Sequence, residues 1–69
     1  MYEIWLTQDG YIQGQLVDTE KELPAAITKG KAKLKEAGFP HIKHERDGKD
    51  TWLSDKDNMM SPMGVIVEK

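Results

Sequence analysis

Residues 23–39, Leu23-Pro-Ala-Ala-Ile-Thr-Lys-Gly-Lys-Ala-Lys-Leu-Lys-Glu-Ala-Gly-Phe39, form the one stretch long and periodic enough to demand a helix. At about 100° per residue, Leu23, Ala26, Ile27, Gly30, Leu34 and Ala37 fall in a single arc, which predicts a buried stripe. Gly38 stands where a helix commonly ends in a left-handed residue, and Pro40 forbids continuation. The start is less sharply marked. Thr19-x-x-Glu22 fits a capping box, whereas Pro24 suits the first helical position and would put the cap at Leu23.

An amphipathic helix of this kind needs an apolar surface to cover, and the flanking segments supply strands. Upstream, residues 2–7 (YEIWLT) are rich in aromatic and β-branched types and read as a strand. Asp9-Gly10 is a hairpin turn signal, and residues 11–17 (YIQGQLV) read as its return, with Gly14 marking a bulge or a close approach by the helix. Downstream, HIKHE, the turn Asp47-Gly48 and residues 50–54 (DTWLS) form a second hairpin. Residues 55–63 (DKDNMMSPM) read as a loop by composition, and residues 64–68 (GVIVE) as a short last strand. The expected architecture is α+β: a small antiparallel sheet of four to five strands in the order β-β-α-β-β-β, with one helix over about 23–38 packed on one face. A single domain spans residues 1–69.

With 69 residues and no cysteine, neither a disulfide nor a thiolate metal site adds to stability. A chain this short gains only about 3–5 kcal/mol from its one core, so a partner subunit is a natural expectation. The N-terminal residues MYEIWLTQDG lack the basic and apolar regions of a signal peptide, and no apolar run approaches the ~18 residues of a membrane span, so the expected location is cytoplasmic.

Net charge is −2, but it is unevenly spread. Residues 1–22 carry −4, residues 23–44 carry +4 and residues 45–69 carry −2. The positive block is Lys29, Lys31, Lys33, Lys35 and Lys43, a candidate nucleic-acid contact. Helical projection divides it. Lys29 and Lys33 border one side of the apolar stripe, and Lys31 and Lys35 border the other. Such lysines ordinarily lay their stems along the core edge and keep the ammonium in water. The outermost strip, Ala25, Thr28, Ala32 and Glu36, holds small residues that suit either close approach by a partner or simple helix propensity.

The aromatic residues carry the stronger expectation. If Ile4 and Leu6 face the helix, Trp5 lies on the opposite face of the sheet, with Tyr11 and Trp52 as candidate neighbours. Three readings compete there: a protein-binding surface, Trp5 and Trp52 paired across strands as a second small core, and a stacking platform for single-stranded nucleic acid, which the acidic neighbours on that face disfavour. Met59 and Met60 (with Met63) offer either an adaptable contact surface or gap-filling under a loop. Trp52 and Leu53 point opposite ways, and alternation alone leaves open which is inside.

Chemistry finds little support. His41 and His44 are three apart on an expected strand and so diverge, which argues against a shared metal. Asp55-Lys-Asp57-Asn58 begins like a calcium loop but has Met60 where the turn glycine belongs and Ile66 where the closing glutamate belongs. No nucleophile elbow or glycine-rich phosphate loop occurs. The expectation is a non-enzymatic protein-binding module, an inhibitor, regulator or accessory subunit, without cofactor, metal, membrane or small-molecule substrate. Its partner is another protein or a second copy. In its compact, unadorned form the chain resembles small accessory proteins of phages and mobile elements, with no motif behind the likeness. Nucleic-acid binding through the five lysines is the alternative.

Overall fold

The computed structural model describes residues 1–7, 14–56 and 58–69, of which 7 and 58–61 are described by backbone alone. Its elements are β1 (Tyr2–Thr7), β2 (Gly14–Glu20), α1 (Leu23–Glu36), β3 (Ile42–Asp47), β4 (Asp50–Asp55) and β5 (Asn58–Glu68). The strands make one five-stranded sheet in the order β2-β1-β5-β4-β3, every pair antiparallel. The expected α+β architecture is therefore the one observed. No described helix is long and apolar enough to cross a membrane.

Strand alternation sets the two faces. Ile4, Ile66 and Thr51 lie side by side across β1, β5 and β4, followed by Leu6, Gly64 and Leu53. Ile4, Leu53 and Ile66 are completely buried, and with Ala26 and Leu34 of the helix they form the core. Leu53, rather than Trp52, is thus the inside residue of β4. The helix seats closely because Gly30 has no side chain: a Cβ there would lie 2.6 Å from Leu53 Cδ1. Tyr2, Leu6, Val17, Leu23, Ile27, Ile42 and Met63 close the margins of this core.

The helix ends as its sequence implies. Gly38 adopts φ 100°. Its N–H donates to the Lys35 carbonyl at 3.0 Å, and the Phe39 N–H reaches back to the Leu34 carbonyl at 2.9 Å. Those two bonds make a Schellman cap. Regular helix stops at Glu36 and Ala37 is the exposed cap residue, so Ala37 does not join the buried stripe. The second hairpin likewise turns where expected, with Gly48 at φ 63°.

Three expectations are corrected. The second strand runs to Glu20 instead of ending at 17, so Thr19 is a strand residue opposite Glu3 and no Thr19–Glu22 capping box forms. Glu22 occupies the cap without a side-chain hydrogen bond, and Pro24 is the second helical residue. Extension wins because residues 18–20 gain ladder partners in β1, which outweigh a single cap. The irregularity of β2 lies not at Gly14, which pairs with Thr7, but opposite the Ile4–Trp5 step, where Val17 is the extra residue. A bulge there turns Val17 and Asp18 both toward the helix. Residues 58–63 are not a loop: they begin β5. The one awkward residue, Pro62, stands opposite Ser54 where the β4–β5 register shifts, a bulge position that tolerates a missing N–H. The Asp9-Gly10 turn and residues 11–13 lie outside the described residues.

Candidate functional site

The face of the sheet away from the helix crosses no further helix or strand among the described residues. Its side chains follow from register. Trp5 of β1 pairs with Leu16 of β2 on one side and Val65 of β5 on the other. Val65 in turn pairs with Trp52 of β4, and Trp52 with Glu45 of β3. One row thus crosses all five strands: Leu16, Trp5, Val65, Trp52, Glu45. Leu16 is 43 % exposed, and both indoles and Val65 are half-buried. A neighbouring row holds Thr19, Glu3, Val67, Asp50 and Asp47.

The two tryptophans are therefore not a cross-strand pair. β5 runs between their strands, and Val65 separates them. At the usual strand spacing their Cα atoms stand about 10 Å apart. The result is a shallow trough along β5, floored by Val65 and Val67. Trp5 and Glu3 wall one side; Trp52 and Asp50 wall the other. The Trp5 indole Nε1–H donates to Glu3 Oε1 at 3.2 Å, which fixes the ring along its strand. The Lys69 ammonium lies 3.8 Å from the same carboxylate oxygen, so a cation already stands at the trough's acidic end.

The helix lysines divide as their projection implies, and one is committed. Lys29 Nζ lies 2.7 Å from Glu20 Oε2 and 3.4 Å from Asp18 Oδ2, tying the helix to the edge strand β2. The hydrogen bond to Glu20 raises the Lys29 pKa above its ordinary value. Glu20 is lowered chiefly by the same bond, and Asp18 chiefly by accepting the Thr19 backbone N–H at 2.8 Å. Lys31 and Lys35 occupy the other border of the helix. Lys43 lies by register beside Ser54, on the face away from the helix, so the five lysines do not share one surface.

Of the candidate contact residues, Trp5 and Trp52 come together on one face. Tyr11 lies outside the described residues. Met59 and Met60 belong to β5, but their side chains lie outside the described residues. Met63 packs on the core. His41 and His44 are both exposed, and no three His, Cys, Asp or Glu side chains gather as a metal set among the described residues. The residues missed in the sequence are Leu16, Val65, Glu3 and Asp50. Alternation in GVIVE puts Val65 and Val67 on one face; their place between the tryptophans needs the strand order. No family model, curated protein or solved structure matches this chain.

Proposed function

We propose that this chain is a non-enzymatic protein-binding module whose contact surface is the helix-free face of the sheet, centred on Trp5, Val65 and Trp52. The observation that carries the reading is the apolar row Leu16-Trp5-Val65-Trp52, four side chains wide and uncovered by any described element. Tryptophans set in an apolar row and rimmed by polar groups are what protein interfaces use as anchors. Two further features favour a protein over nucleic acid. Glu3, Glu45, Asp47 and Asp50 border the row, and like charge repels phosphate. Lys29, meanwhile, already serves Asp18 and Glu20. Its role is that of a regulator or accessory subunit.

The test is hydrogen exchange on a complex captured from native lysate, compared with the chain alone. New protection should map to residues 3–5, 50–52 and 65–67. The double variant Trp5→Ala/Trp52→Ala should lose the complex while keeping its circular dichroism. Protection confined to the outer helix strip Ala25-Thr28-Ala32, or capture undiminished in the double variant, overturns the reading.

A further inference from the structure

Resting on the binding face just proposed, we infer that the trough over Val65 and Val67 receives a cationic side chain, and that the partner segment is apolar with arginine or lysine, not acidic or neutral. The argument is charge complementarity within one small area. Two indoles stand on either side of a floor of two valines. One register step away, Glu3 and Asp50 stand on either side of Val67 in the same way. Glu45 closes the row beyond Trp52, and Asp47 pairs with Asp50.

An arginine or lysine fits both halves at once. Its aliphatic stem lies on the valines between ring faces, which attract a cation through their quadrupoles. Its head reaches the carboxylates, and a guanidinium is the better match because it bonds carboxylates bidentately and stacks on aromatic rings. Trp5 sharpens the site further: its own N–H is spent on Glu3 Oε1, and the carboxylate has a second oxygen with which to accept from an incoming donor. The chain's own Lys69, with its ammonium 3.8 Å from Glu3 Oε1, shows that a cation is accommodated at this end. At that distance it is weakly held, and a partner cation displaces it readily.

Nuclear magnetic resonance with a capped nonapeptide of alternating leucine and arginine tests this directly, against the same peptide with glutamate for arginine. The arginine peptide should shift both indole Nε1–H signals and the amides of Val65 and Val67; the glutamate peptide should not. Glu3→Gln/Asp50→Asn should weaken the arginine peptide about tenfold and flatten its salt dependence. Lys69→Ala should leave binding intact or tighten it. Equal binding of the two peptides, or no effect of the double neutralisation, overturns the cationic assignment while leaving the tryptophan face in place as a binding surface. Loss of all effect from Trp5→Ala/Trp52→Ala on a captured complex would instead remove the face itself. Shifts confined to the edges of β2 or β3, or a doubled mass with no peptide effect on the indoles, also overturn the inference, the second in favour of a second copy of this chain.

Discussion

Individual residues decide how closely the layers of this molecule approach. Gly64 pairs with Leu6 where β5 runs beside β1, and a Cβ there would come within 2.9 Å of the Trp5 carbonyl oxygen and 3.0 Å of Leu6 Cδ2. A backbone oxygen cannot step aside without moving β1. Gly64→Ala is therefore expected to destabilise the fold by about 1–3 kcal/mol, read from urea unfolding. Thr51 presents the opposite case. It is 1 % exposed, and its hydroxyl has no hydrogen-bond partner among the described residues. Removing that desolvated hydroxyl at constant shape, Thr51→Val, should raise stability by about 1 kcal/mol in the same assay. A loss would show that the hydroxyl is satisfied. Neither residue announces itself in the sequence. Glycine at 64 reads as a strand opening, and threonine at 51 as an ordinary strand former, because what each touches belongs to strands distant in the chain.

At the scale of elements, local signals proved legible wherever the deciding bonds are local. The end of α1 is an example: Gly38, Phe39, Lys35 and Leu34 are neighbours in sequence, and the cap follows from glycine's tolerance of φ 100°. The Asp47-Gly48 turn is another. The start of α1 was obscured because its rival is non-local: Thr19 and Glu20 pair with Glu3 and Tyr2 of β1, and Glu20 also receives Lys29. The same holds for 58–63, where Asn58, Ser61 and Pro62 read as a loop and hide a strand paired to β4. The Lys29 clamp predicts a pH dependence. Asp18 and Glu20 sit below their ordinary values of 3.8 and 4.5, so their contribution is present above those values and is lost as pH falls through the lowered ones. Lys29 sits above 10.5, so its contribution is present below that pH and is lost on rising through the raised value. Thermal midpoints of the wild type should thus be flat between roughly pH 5 and 10 as far as this clamp is concerned. Lys29→Met should lose part of the acid-limb slope, most visibly at low salt, because the groups are reached by solvent. An identical acid limb in the variant would show that the clamp contributes nothing.

On the scale of the whole molecule, one helix covers one face of a five-stranded sheet, and among the described residues no helix or strand covers the other. Both sheet edges are managed. The outer strand β3 carries Lys43, His44, Glu45, Arg46 and Asp47, all exposed, and charged edges resist pairing with another sheet. The bulge in β2 twists the other edge. With the edges blunted, the surface proposed for binding is the helix-free face, where Leu16, Trp5, Val65 and Trp52 form their row. The sequence assigns Trp5 to that face through Ile4 and Leu6, but which residues flank it depends on β5 inserting between β1 and β4, and no local pattern encodes that insertion. The most direct test of the account is paramagnetic broadening by a soluble gadolinium chelate, applied to the isolated chain at a concentration where its mass is that of one copy. The two indole Nε1–H signals and the Val65 and Val67 methyls should broaden strongly, while Ile4, Leu53 and Ile66 methyls stay sharp. Indoles and valines as protected as Ile66 would mean that this face is already covered, and the binding surface would have to be sought elsewhere.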